Sequence, residues 1–390
     1  MYKILTLNQI SIKGLERFSR EHYELASEFS APDAILLRSH KLAVDEITES
    51  VLAIGRAGAG TNNIPVAECT RRGIPVFNSP GANANAVKEL VAAALFLGSR
   101  GISEGIRYAH SLGDITDEAE LNKTLESQKK QFKGSEIAGK TLGIVGLGAI
   151  GSLVADMALT LGMKVCGYDP ALSVDAAWRL SSQVEKVDAL ASIFSRCDYV
   201  TLHLPAIEST RGLINAELLQ HCQPGLCLLN FARQEIVDSG AVIDALEAGK
   251  LRRYIADFPE PRLIGRDDVI LMPHIGASTE EAEENCAIMA ADQLQDFLEN
   301  GNVRNSVNFP TLILEKTTGV RLAITNNNVP RMLGNLLSLL ADENINIMDM
   351  LNKSRDDVAY NLIDVEICPS DAVLAKMSAI EGVINVRVIS

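Results

Sequence analysis

TLGIVGLGAIG, residues 141–151, joins an apolar run to a glycine-spaced turn and then to the start of a helical pattern. The run ends at Val145, and Gly146, Gly148 and Gly151 follow in G-x-G-x-x-G spacing with Ala149 and Ile150 between them. In a strand-to-helix turn each glycine has its own job. Gly146 permits a tight bend, Gly148 lets backbone approach a pyrophosphate, and Gly151 permits close helix–strand packing, while the helix start offers N–H donors and a positive dipole. Glycine-rich loops are common, so the spacing alone is weak, but an acid strengthens it. Asp169 closes the next apolar run, KVCGY, eighteen residues after Gly151, where a carboxylate can accept from ribose hydroxyls. Its charge repels a 2′-phosphate, which favours NAD over NADP.

Working outward, further β-type runs stand at residues 164–168, 198–202, 226–230, 253–257 and 269–272, separated by helix-length segments. Six strands alternating with helices predict a doubly wound parallel sheet. Upstream, residues 2–7, 34–37, 51–54 and 74–77 repeat the alternation, with Ile12–Phe29 spaced as a helix. A long helical pattern from Asn85 to Ile106 and a polar stretch from Ser111 to Lys133 lead into the second series. After it, Ser278-Thr279-Glu280-Glu281 reads as a capping box for a helix running to Asn300, with Gly301 as its stop. The last seventy or so residues read as βαββαβ, the ferredoxin-like order. The expected domains are residues 1–88 with 280–300, 89–279, and 319–390 after a linker at 301–318.

A net charge of −14 with no basic patch argues against nucleic acid and anionic membrane as partners. No apolar stretch approaches the roughly 20 residues of a membrane span, and MYKILTLNQI lacks the basic, apolar and cleavage-site regions of a secretory signal. Seven scattered cysteines without a C-x-x-C pair predict neither a disulfide framework nor a metal site, and fit a cytoplasmic protein.

In open parallel sheets ligands bind outside the carboxyl ends of strands, so chemistry-bearing residues there are candidates. Arg233 follows the run LCLLN and can fork onto a carboxylate. His274 follows VILM, with a side chain that titrates where a neutral-pH base must. Asp257 ends RYIAD, and Glu260 lies three residues on. Taken singly, a surface ion pair for Arg233 and a capping or surface role for His274 are the commoner readings; the combination points to a reacting centre.

LGIVGLGAIG, LHLPAIEST, LLNFARQEIVD and MPHIGASTEEAEENCA together resemble the D-2-hydroxyacid dehydrogenase family, over nearly all of the chain. LLRSH, GRAGAGTNNIPVAECTRRGIPVFNSPGANANAVKEL and the C-terminal module resemble its branch acting on 3-phospho-D-glycerate. The resemblance implies two Rossmann-like domains of the formate/glycerate dehydrogenase type plus a ferredoxin-like ACT domain. It implies NAD-dependent oxidation of 3-phospho-D-glycerate to 3-phosphohydroxypyruvate, the first step of the phosphorylated route to L-serine. Arg233 would clamp the carboxylate, His274 would be the general base and Glu260 its partner. Ala149, Ile150, Asp169, Phe231, Ala232, Arg233, Asp257, His274, Ile275, Gly276 and Ala277 would line the cofactor along with the loop glycines. Arg38, Ser39, Arg56, Gly81, Ala82 and Asn83 would meet the substrate. In the ACT module Asn326, Asn328 and Asn346 match effector positions, implying L-serine as ligand and a homo-oligomer, dimer or tetramer. A plain polar turn is the other reading of the three consecutive asparagines.

Two departures stand out. The family pattern D-V-F-x-x-E-P sets an acid five residues after the aspartate, whereas here Glu260 comes three residues after Asp257 and Arg262 holds the fifth place. Gln234 stands where the family usually has glycine. Two other readings stay open: a sister dehydrogenase of the 2-hydroxyglutarate or glyoxylate type, and an NAD-sensing regulator.

Overall fold

In the computed structural model, which describes residues 1–389, Thr141–Val145 is an inner strand of a seven-stranded parallel sheet. The order is Val269–Leu271, Leu251–Ala256, Leu226–Asn230, Tyr199–Leu202, Thr141–Val145, Lys164–Tyr168, Val184–Lys186. From Thr141–Val145 the chain winds outward to one edge, then returns to Tyr199–Leu202 and winds to the other. The reversal leaves a crevice beside the carboxyl end of Thr141–Val145. Strands Tyr199–Leu202 and Leu226–Asn230 are buried throughout because helices cover both faces. Val91, Leu95, Val154 and Ala158 pack one face, and Ile193, Phe194, Val242 and Leu246 the other. The edge strand Val184–Lys186 was not expected: three residues with no apolar run give no periodic signal.

This sheet belongs to one of two compact units, Ala84–Ser278; the other joins Met1–Asn83 to the chain from Thr279 onward. The expected helix over Asn85–Ile106 is two helices, Ala84–Ser99 and Ile102–Ser111, broken at Arg100-Gly101. The polar stretch beyond holds a third, Glu118–Gln128, whose start Asp117 caps by accepting from the Glu120 N–H.

In the first unit, five parallel strands run in the order Tyr23–Ala26, Tyr2–Leu7, Ala34–Leu37, Ala53–Arg56, Val76–Phe77. Here the reading of Ile12–Phe29 as one helix is corrected. Only Ile12–Leu15 is helical, and Tyr23–Ala26 is a strand paired to Tyr2–Leu7. Tertiary packing overrides the spacing. Gly14 lies so close to helix Glu280–Asn300 that a Cβ there would sit 2.5 Å from Ala287 Cβ. That long helix packs Ala287, Ala290, Ala291 and Leu294 on the sheet. Its cap is Thr279, which accepts from the Ala282 N–H, while Gly301 at φ +72° ends it. The cap therefore falls one residue later than expected from Ser278, and with Ala282 at the third helical position no capping box forms.

The C-terminal sheet is antiparallel, in the order Ile347–Arg355, Val358–Val365, Val320–Asn327, Val383–Ile389. Helices Met332–Asp342 and Asp371–Ser378 cover one face through Leu336, Leu340, Val373 and Met377. The other face joins the first unit's core, where Tyr360, Leu362 and Ile389 cluster with Phe297, Val303 and Phe309. Arg321, fully buried, locks this contact. It donates to both Asp364 oxygens (2.6 and 2.8 Å) and to the carbonyls of Asn300, Leu314 and Glu315. Residues 301–318, expected as a linker, are packed too: Asn308 accepts from the Val76 N–H and donates to the Ile74 carbonyl.

Candidate active site

The glycine turn after Thr141–Val145 has the shape its spacing predicts. Gly146 adopts φ +94°, and a Cβ on Gly151 would fall 1.9 Å from the Gly146 carbonyl oxygen. Gly148 caps helix Ala149–Thr160 without a side chain, and a Cβ there would meet nothing within 4 Å. The first N–H groups of the helix thus face an open cradle, as a pyrophosphate requires. Asp169 accepts from the Leu147 and Ala171 N–H groups at 2.9 Å each, which fixes its carboxylate against the turn. These residues fit a bound dinucleotide.

His203, not singled out from the sequence, ends Tyr199–Leu202 beside this turn: a Cβ on Gly146 would lie 2.6 Å from its carbonyl oxygen. Its Nε2 lies 3.0 Å from the Thr201 hydroxyl, and its Nδ1 is buried with no partner. Burial holds the imidazole down at about 3, so it stays neutral.

Arg233 is held by its backbone. The wholly buried Asn230 donates to the Arg233 carbonyl at 3.0 Å and accepts from the Ala232 N–H at 3.1 Å. Phe231 and Ala232 are buried, and the exposed Arg233 side chain bends back to donate to the Ala232 carbonyl at 2.7 Å. The asparagine that builds this bend is a site residue the sequence reading passed over; an amide ending an otherwise apolar strand was the available signal.

His274 stands two strands away, in left-handed backbone at φ +57°, which a non-glycine residue adopts only when its surroundings impose it. Asp257 does the imposing. It is 3% exposed and accepts from the Ile275 N–H at 2.8 Å and the Gly276 N–H at 2.7 Å. Gly276 is required there, because a Cβ would stand 2.9 Å from Asp257 Oδ2. Ile275 is exposed, and Ala277 half-buried. The His274 ring packs against Phe258, centroids 5.0 Å apart.

Glu260 does not take the place expected for it. It accepts from the Ser239 hydroxyl at 2.7 Å and lies 3.8 Å from Arg262. Among the described residues no carboxylate hydrogen-bonds the His274 ring. The shortened loop carries the acid to the start of helix Ser239–Glu247 instead. The expectation that Glu260 is the partner of His274 is corrected accordingly.

In the first unit Arg38 and Arg56 come together at the ends of adjacent strands. Arg56 Nε donates to the Arg38 carbonyl at 3.1 Å, and Arg38 pairs with Glu283 at 2.8 Å. The hydrogen bond from Arg38 holds the Glu283 carboxyl below its usual range. Ser39 is exposed, Gly81 turns at φ +78°, and Ala82 and Asn83 are half-buried.

Asn326 is also placed otherwise than expected. It is 3% exposed, accepts from Asn361 at 2.7 Å and donates to the Asn327 carbonyl at 2.7 Å. Its amide is tied up with the buried Asn361, which in turn accepts from the exposed Asn352, and is not presented to a ligand. Asn328 and Asn346 are exposed. Among the described residues no three His, Cys, Asp or Glu side chains gather as metal ligands, and no helix is long and apolar enough to cross a membrane.

Residues 106–276 match the family model of the D-isomer specific 2-hydroxyacid dehydrogenase NAD binding domain. The chain is 34% identical over 366 residues to D-3-phosphoglycerate dehydrogenase of Haemophilus influenzae, covering 90% of this chain and 85% of that protein. It is 33% identical over 370 residues to the Methanocaldococcus jannaschii enzyme of that name, covering 90% and 67%. Against the Synechocystis enzyme identity is 38%, but the chain spans half of its length. Among solved structures, the NAD⁺-bound 3-phosphoglycerate dehydrogenase of Entamoeba histolytica aligns at a TM-score of 0.60 and 28% identity, covering 80% of this chain and 99% of that one. The glycine cradle, its anchored acid and these likenesses agree: the chain belongs to the D-isomer specific 2-hydroxyacid dehydrogenase family and carries its NAD-binding domain.

Proposed function

We propose that the chain oxidises 3-phospho-D-glycerate to 3-phosphohydroxypyruvate. NAD, when bound, supplies the hydride acceptor, held by the Gly146–Gly151 turn and Asp169. Arg233 clamps the substrate carboxylate through its guanidinium fork and polarises the reacting carbon's oxygen. His274 takes the hydroxyl proton as general base. Arg38 and Arg56 meet the phosphate, whose charge needs local cations in a protein of net charge −14. The observation that carries the reading is the pair of backbone staples. Asn230 builds the bend that presents Arg233, and Asp257 builds the turn that presents His274, both at the strand ends where the dinucleotide turn opens. Asp257 thereby acts through the His274 turn, and Glu260 is left with no part in the chemistry.

We further propose that the C-terminal βαββαβ module is an ACT-type sensor for L-serine, that the chain is a homo-oligomer, dimer or tetramer, and that it works in the cytoplasm. The ferredoxin-like strand order supports the module, with Asn328 and Asn346 exposed for a ligand. The test follows NADH oxidation with 3-phosphohydroxypyruvate beside glyoxylate, pyruvate and 2-oxoglutarate, with and without L-serine, on protein of measured mass in solution. The reading expects preference for the phosphorylated acid, lost in Arg38→Ala and Arg56→Ala, and a serine-dependent change of rate. Equal or faster turnover of an unphosphorylated acid would assign the chain to a sister enzyme.

A further inference from the structure

The second unit carries a cavity of 670 Å³ that the proposed reaction does not use. Strand Leu251–Ala256 ends towards Asp257, whereas the cavity takes Arg252 and Arg253 from its opposite, amino end. The cavity forms where helix Ala84–Ser99 stops and the chain bends through Arg100-Gly101 into Ile102–Ser111. The segment Lys129–Phe132 folds back over this corner. Gly101 N–H donates to the Phe132 carbonyl at 3.2 Å, Ser135 N–H to the Ser99 carbonyl at 3.0 Å, and the Tyr108 and Phe132 rings lie 5.4 Å apart.

The lining is basic in an acidic protein. Arg100, Arg107, Lys133, Arg252 and Arg253 face it against two acids, Glu104 and Asp267. Arg253 pairs with Glu104 at 2.8 Å and Arg107 approaches Asp267 at 4.0 Å. Among the described residues no ion pair joins Arg100, Lys133 or Arg252 to an acid. One buried polar atom of the lining, Glu104 Oε2, also lacks a partner. A buried carboxylate oxygen without a donor is costly, and neither the fold nor the proposed chemistry uses this one.

We infer that this cavity binds a small phosphate monoester that also carries an ammonium or hydroxyl group. A phosphate offers three acceptor oxygens, one each for Arg100, Lys133 and Arg252, and charge-assisted contacts of this kind are the strong ones. The donor group of the ligand answers Glu104 Oε2. This inference is independent of the reaction proposed above.

Calorimetric titration of the full chain with O-phosphoethanolamine, inorganic phosphate and ethanolamine tests it. The first carries both groups, the others one each, and none has the carboxylate that Arg233 is proposed to hold. Saturable binding is expected for O-phosphoethanolamine, tighter than for phosphate or ethanolamine. Arg100→Gln with Lys133→Gln, both exposed positions, weakens it by about ten-fold or more. Glu104→Gln removes its advantage over inorganic phosphate. Arg56→Gln leaves binding unchanged. Absence of saturable binding, binding unaltered by the double substitution, or binding lost in Arg56→Gln alone would each overturn the inference.

Discussion

At the residue scale, the two groups assigned to the chemistry are each presented by a neighbour that does none. His274 sits at φ +57° because both oxygens of Asp257 draw in the following N–H groups, and Arg233 leaves a bend that Asn230 closes from beneath. His274→Ala is expected to lower kcat by roughly 10²–10⁴-fold, the usual worth of general-base catalysis, with NAD affinity nearly unchanged in fluorescence titration. Full activity in that variant would end the assignment. Asn230→Ala keeps the guanidinium but removes the support that positions it. Its kcat/KM should fall by about ten-fold or more, through substrate binding rather than cofactor binding, as misplaced clamps do.

The element scale shows how little freedom the glycine turn has. With the Gly146 carbonyl 1.9 Å from where a Cβ on residue 151 would lie, one methyl group must force the helix Ala149–Thr160 away from its strand. Gly151→Ala should therefore raise the dissociation constant for NAD strongly and lower thermal stability together. Gly148→Ala, at an open position, should disturb the fold little and act on NAD alone. Binding titration beside a thermal melt separates the two. Equal behaviour of both variants would mean that packing, rather than approach to the pyrophosphate, explains the spacing.

For the whole molecule, the C-terminal sheet is tied into the first unit by a charge pair that no water reaches. Removing one partner strands the other, and breaking such a pair costs about 3–5 kcal/mol. Asp364→Asn should lower the unfolding free energy by that order in a denaturant titration, whereas a change at the exposed Lys13–Glu284 pair should barely register. Burial pushes the Asp364 carboxyl up, but hydrogen bonds from Arg321 and the Thr317 N–H outweigh it and hold it below the usual range. A group lowered in the folded state contributes its stability above the ordinary carboxylate range and loses it as pH falls through the folded value. Acid unfolding of the native chain should accordingly be steeper than that of Asp364→Asn when both are followed by circular dichroism.

What depends on local chemistry is legible along the chain. Glycine spacing gave the cofactor turn, apolar runs gave most strands of the parallel sheets, and strand-end positions singled out Arg233, Asp257 and His274. Such signals survive because backbone conformation and burial periodicity are properties of a few consecutive residues. The pairings, by contrast, are set by how the chain packs in space. Glu260 went to Ser239 rather than His274, Asp257 to two backbone amides, and Asn326 into a buried amide pair. Ile12–Phe29 lost its helix to a strand partner and a neighbouring helix, as the close fit of Gly14 on Ala287 shows. The residues in these pairs lie from 18 to 273 positions apart. A side chain chooses among partners by distance and geometry in space, and no spacing along the chain records that choice.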